Sequence, residues 1–117
     1  MFEFLVPVNA RVPVPHSHDA FDETVYGLDG ITTWVLDGQQ TRVGPGDILF
    51  IPRGQVHHFA NLEAKDAREL SVITPGLLGP EYFREIAEVV NVGGPPNVER
   101  IMEVMRRHGL RPAPPAS

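Results

Sequence analysis

The chain contains no cysteine. That excludes disulfides, thiolate nucleophiles and thiolate-held zinc, and it fits a cytoplasmic location. Positive charge is also scarce. Ten Lys and Arg against fifteen Asp and Glu leave a formal net charge of -5 over 117 residues. Nucleic-acid binding rests on clustered Lys and Arg, so no nucleic-acid partner is expected. No apolar run approaches the ~18 residues of a membrane span, so no membrane association is expected. The opening MFEFLVPV lacks a basic region and carries Glu3, which makes it a poor signal peptide. What remains is a length that suggests one domain, able to bury roughly two-thirds of its unfolded surface. Proline is plentiful, 12 in all, but it falls between the patterned segments and punctuates them.

The first two-thirds read as short strands. EFLVPV is extended, and ETVYGL and TTWVL are rich in β-branched and aromatic residues. Asp37-Gly38 lies between two such runs and predicts a two-residue hairpin. GPGDILFIPRG holds a strand from Ile48 to Ile51, and VHHFAN and RELSVIT complete the set. Many short strands at close spacing predict an all-β barrel or sandwich. ILFI is apolar on both faces, so both are expected to be covered, one by the barrel interior and the other by the C-terminal segment or a second subunit. A homodimer is therefore expected.

The pattern changes after Pro75. Pro80 suits a first helical turn, and Tyr82, Phe83, Ile86, Val89 and Val90 recur at helical spacing. NVGGPP breaks that helix. Asn97 is then an N-cap for a second helix with Val98, Ile101, Met102 and Met105 on one stripe, and Gly109 suits its C′ position. The expected division is a barrel over residues 1–75, a helical extension over 76–111 and a disordered tail over 112–117.

The chemistry concentrates in PHSHDAFDETVYGLDG, residues 15–30. Two residues apart on a strand, His16 and His18 share one face with Cα atoms roughly 7 Å apart. On a helix they would not face each other, and Pro15 favours the extended form. Glu23 opens the next strand, from which its carboxylate can reach the same ion. In QVHHFAN, His57, Phe59 and Asn61 share a face, and the apolar Phe59 marks it as the interior; His57 is therefore preferred to His58. Three neutral imidazoles and one carboxylate suit one Fe, Mn, Ni, Cu or Zn ion per chain, and suit Ca or Mg poorly.

With those residues on view, the sequence resembles the cupins. Their first motif, G-x5-H-x-H, three or four residues, E, six residues, G, is met by His16, His18, Glu23 and Gly30, with Ala10 in place of the leading glycine. Their second, G-x5-P-x-G-x2-H-x3-N, is met by Gly46, Pro52, Gly54, His57 and Asn61. The resemblance covers roughly residues 10 to 61. It implies a small antiparallel jelly-roll barrel with a metal inside, here followed by C-terminal α-helices, and residues matching His16, His18, Glu23 and His57 as ligands. The ending GPEYFREIAEVV is similar to that of small bacterial cupins described as quercetin-dioxygenase-like. Reaction is less constrained, since a fold does not set a function. The leading expectation is a mononuclear metal-dependent dioxygenase acting on a small organic substrate, with Glu23 also able to serve as a general base. A non-catalytic small-molecule binder or sensor is one alternative. A metal-dependent isomerase is another, for which several basic groups would be needed at the barrel mouth; only Arg42 and Arg53 lie near the motifs. Asn61 is expected to be structural, and Tyr26, Trp34, Phe50 and Phe59 to be core.

Overall fold

The computed structural model describes residues 1–10, 14–90 and 95–113. In chain order these form β1 (Phe2–Val6), β2 (His16–His18), β3 (Asp22–Asp29), β4 (Thr32–Leu36), β5 (Gln39–Val43), β6 (Ile48–Ile51), β7 (His57–Ala60), β8 (Ala67–Thr74), α1 (Pro80–Val90), α2 (Val98–Arg107) and β9 (Leu110–Pro112). The strands make two antiparallel sheets, ordered β1-β8-β3-β6 and β5-β4-β7-β2-β9. This is the jelly-roll sandwich that the strand pattern and the motifs predict, with two helices after it.

Turn chemistry sets much of the register. Asp37 and Gly38 have φ of 47° and 83°. Positive φ at both central residues is the hairpin turn whose twist matches the flanking strands, and it brings Leu36 opposite Gln39. Gly27 does a different job. A Cβ there would sit 1.9 Å from the Gly44 carbonyl oxygen, so β3 can approach the turn before β6 only through glycine. Backbone hydrogen bonds from Gly27 to Asp47 and from Gly46 to Gly27, both 2.9 Å, fix that approach.

One apolar core lies between the sheets and holds Val25, Trp34, Val43 and Ile51. A second is built by the helices. Tyr82, Ile86 and Val89 of α1 meet Ile101, Val104 and Met105 of α2, together with Val14 and Leu110 from either side of β2. The helix signals are realised locally: the Asn97 side chain accepts a hydrogen bond from the Arg100 amide, 3.1 Å, and Gly109 follows the helix with φ 83°.

Several expectations are corrected. The C-terminal segment does not cover the outer side of the ILFI strand. It packs beside β2 instead, leaving Ile48 68% and Phe50 56% exposed. Tyr26, opposite Ile48, is also exposed, so Tyr26 and Phe50 are not core. Leu110 to Pro112 is neither a helix end nor a tail: it is β9, paired with β2 as His16 with Pro112 and His18 with Leu110. The sequence pattern missed it because three residues are too few to show a period. The expected tail beyond it falls on residues 114–117, and part of the expected helix break on 91–94; both lie outside the described residues.

The helical core predicts its own sensitivity. Met105 is fully buried whereas Val98 on the same helix is exposed. Met105→Ala should cost about 2–5 kcal/mol in urea unfolding, as large-to-small changes in a packed core do, and Val98→Ala should stay within about 0.5 kcal/mol. Equal effects would mean that α2 is not docked on this face.

Candidate metal centre

The three motif histidines come from two neighbouring strands of one sheet. His16 and His18 sit on β2, and His57 sits on β7 directly opposite His16. All three are buried, and their ligand-capable ring atoms lie within 4.8 Å of one another. Glu23 is on β3 in the other sheet, flanked by Ile51 and Ile73. Its Oε1 stands 4.0 Å from His18 Nε2 and 3.9 Å from His57 Nε2. The site thus lies between the sheets, three imidazoles facing one carboxylate, although Glu23 is not part of the tight three-histidine group. His58 points the other way and is half-buried.

The surroundings orient these groups. His57 Nδ1 lies 2.9 Å from the Gln55 carbonyl and His16 Nδ1 lies 3.3 Å from that of Val14. Donation to a carbonyl places the ring proton on Nδ1 and leaves Nε2 with a free lone pair turned to the interior. His18 stacks on Phe21, ring centroids 4.4 Å apart, and its Nδ1 is a buried atom without a hydrogen-bond partner among the described residues. Ser71 donates to Glu23 Oε2 over 2.6 Å, which leaves Oε1 toward the imidazoles.

Burial sets the charge state. It holds the His16 ring well below the ordinary histidine range, reinforced by His57 and His18, and it pushes His18 down to about 3, again with His57 adding to the effect. His57 is lowered by burial as well, and burial raises Glu23 against the opposing Ser71 hydrogen bond. Three neutral nitrogen donors and a carboxylate whose ionised form lacks a counter-charge make a donor set that fits a transition-metal dication. That fit rests on the donor chemistry and on the convergence of the three buried rings.

Around the site is a cavity of about 90 Å³, lined by the four groups and by Trp34, Phe59, Ile73 and residues of the N- and C-terminal segments. Trp34 and Phe59 were expected as core, and they also form the cavity wall, stacked 4.6 Å apart. Asn61 is structural: it donates to the carbonyls of Val6 and Lys65 and accepts from the Glu63 amide. Arg53 pairs with Asp22 and Arg42 with Glu63 at the surface. His108 belongs to neither the site nor the cavity and bonds Glu85.

One buried carboxyl escaped the sequence reading. Glu69 is 1% exposed; its Oε2 accepts from Thr32 Oγ1 over 2.8 Å, and its Oε1 has no partner among the described residues. Burial, with a smaller push from Glu23, raises it to about 7. The signal was present, since alternation in RELSVIT puts Glu69 on the inward face with Ser71 and Ile73. A carboxyl raised in the folded state stabilises the fold fully below its unfolded value of ~4.3 and loses that contribution as pH rises through about 7. Glu69→Gln should therefore raise the thermal midpoint of the metal-free protein at pH 8 relative to wild type, and should not raise it at pH 4. Scanning calorimetry checks this; a difference that does not vary with pH would mean Glu69 is not held protonated.

The comparisons with known proteins agree with this architecture. The family model of the cupin domain matches residues 2–73. A quercetin 2,3-dioxygenase from Bacillus subtilis (strain 168) is 36% identical over 75 residues, which cover 64% of this chain and 22% of that enzyme. The chain thus spans about a fifth of that relative's length. Among solved structures, a polyketide cyclase from Streptomyces resistomycificus is 37% identical with TM-score 0.53, over 61% of this chain and 49% of the other. A sugar phosphate isomerase from Silicibacter pomeroyi is 27% identical with TM-score 0.56, over 61% and 46%. With the family model covering most of the barrel and both motif histidine groups inside it, the chain belongs to the cupins.

Proposed function

We propose that this cupin is a mononuclear metal-dependent enzyme of the dioxygenase type, acting on a small oxidisable organic molecule with an acidic hydroxyl. In this reading His16, His18, Glu23 and His57 hold the ion. The observation that carries it is the convergence of three buried, neutral imidazoles and one carboxylate in a cavity whose other walls are aromatic and aliphatic. Among the described residues no Lys or Arg lines that cavity, which weighs against a sugar phosphate as substrate. The relatives named for quercetin and for polyketides favour an aromatic or enolic compound.

The chain's own residues have separable tasks. The carbonyls of Gln55 and Val14 hold the His57 and His16 rings in one tautomer. Ser71 pins one oxygen of Glu23; the other would hold the ion and, on leaving it, take the substrate's hydroxyl proton as a general base. Trp34 and Phe59 keep water away and give a flat ring a surface to lie against. When bound, a redox-active ion supplies the electron transfer to O₂ that no side chain here can provide.

Loading the metal-free protein separately with Fe²⁺, Mn²⁺, Ni²⁺, Cu²⁺ and Zn²⁺ tests this. O₂ uptake is followed with catechols, 1,3-diketones and flavonols; Zn²⁺ is the control because it has no redox chemistry. Uptake with a redox metal and none with Zn²⁺ is expected. Saturable binding with every metal and no uptake would instead make the chain a carrier or sensor. His57→Ala should strongly reduce the metal content measured by elemental analysis and His58→Ala should not. Because protons compete for imidazole and carboxylate, metal content should also fall between neutral pH and about pH 4.

We also propose a homodimer through the outer face of the β1-β8-β3-β6 sheet, where Tyr26, Ile48 and Phe50 leave apolar surface in water. Phe50→Lys should convert a dimer to a monomer in sedimentation at micromolar concentration. A monomeric wild type would contradict the assembly.

A further inference from the structure

Two hollows lie end to end in this molecule. The inner one is the cavity of about 90 Å³ at the histidines. The outer one is an open groove of about 660 Å³ between β1 and α1, reaching Met1, Gly76 and Arg84. Four residues line both: Phe2, Phe4, Leu78 and Phe83. The groove and the cavity at the candidate metal centre therefore meet at a boundary of apolar side chains. Its tightest aromatic contact joins β1 to α1, with the Phe2 and Phe83 rings 4.4 Å between centroids.

The inner space is small. About 90 Å³ is well below the roughly 300–1,000 Å³ of sites that bury drug-sized ligands. A single ring with its hydroxyls fits; a three-ring flavonol does not. The C-terminal segment fixes this size, because α1 brings Tyr82, Phe83 and Ile86 over the histidines. Behind them β9 is hydrogen-bonded to β2, the strand that carries His16 and His18. The roof and the ligand strand are therefore one packed unit. Phe83 is half-buried, between the T-shaped Tyr82 ring at 5.0 Å and Phe2, and packs on the edge of the helical core rather than inside it.

We propose that Phe83, closing on Phe2, is the gate that selects ligands by size, and that the inner site takes a one-ring phenol or a compact enol and turns away polycyclic flavonols. This rests on the substrate reading given above and narrows it. Tyr82 is 4% exposed and supplies the one polar side-chain atom among Leu78, Tyr82, Phe83, Ile86 and Leu110. The outer groove is the way in.

Binding can be read apart from turnover. The chain has one tryptophan, Trp34, and it lines the cavity with its ring 6.2 Å from that of His57. Zn²⁺-loaded protein is titrated with catechol and with a flavonol, following Trp34 fluorescence and heat. Wild type should bind catechol at least about tenfold more tightly than the flavonol. Phe83→Ala should join the two hollows and bring the two affinities within about threefold; Phe2→Ala, which removes the other half of the gate, should act in the same direction and serves if Phe83→Ala does not fold. Wild type that binds the flavonol as tightly as catechol, or binds neither, overturns the proposal, as does an unchanged preference in both variants. Catechol binding with Zn²⁺ but no O₂ uptake with Fe²⁺ would keep the gate and discard the oxygenase.

Discussion

Three buried imidazoles whose ring nitrogens lie within 4.8 Å of one another cannot all be charged. Each positive charge would lack hydration and would repel the others across a short distance at low effective dielectric. The fold meets this by keeping the rings neutral, with all three held below the ordinary histidine range. A neutral imidazole buried with a lone pair facing inward has given up its hydrogen bonds to water. That arrangement costs stability unless something accepts the lone pairs, and a divalent transition-metal ion accepts them. The opposing carboxylate fits the same logic, since burial alone disfavours its ionised form and a dication would restore it.

Much of the chain serves to hold β2 in place. It is only three residues long, with His57 of β7 on one side and β9 on the other. Its His18 carbonyl accepts the Gly54 amide, 2.8 Å. Three-residue strands have little stability of their own, so the helical core around Val14 and Leu110 supplies the packing that keeps this one in register. The helices thus support the candidate centre from behind and roof it from above. The second sheet contributes Glu23, steadied by Ser71, and Glu69, whose hydrogen bond to Thr32 crosses to the histidine sheet and continues to Trp34.

What was legible in the sequence follows from what has a period or a spacing. The hairpin at Asp37-Gly38 could be read because its turn demands positive φ at two successive residues. The four groups of the candidate centre could be read because alternation on strands and two long motifs place them. The direction of His57 against His58 followed from Phe59 two residues on. What covers the ILFI strand stayed open between the C-terminal segment and a second subunit, because four apolar residues state a preference for burial, not the identity of what buries them; the helices went elsewhere. β9 left no pattern, and the apolar stripe of α1 showed that Tyr82, Phe83 and Ile86 face something without showing that they face the histidines. Contacts between distant segments depend on packing that no local signal encodes.

The central claim is that the Nε2 lone pairs of His16, His18 and His57 converge on one metal ion beside Glu23. The most direct measurement is a crystal structure of protein loaded with one equivalent of Cu²⁺ or Co²⁺, with the ion located by anomalous scattering at its absorption edge. The account predicts a single strong peak between the two sheets, bonded to those three nitrogens. A peak confined to the surface, for example at His108 and Glu85, with the interior histidines still lacking a metal, would contradict it.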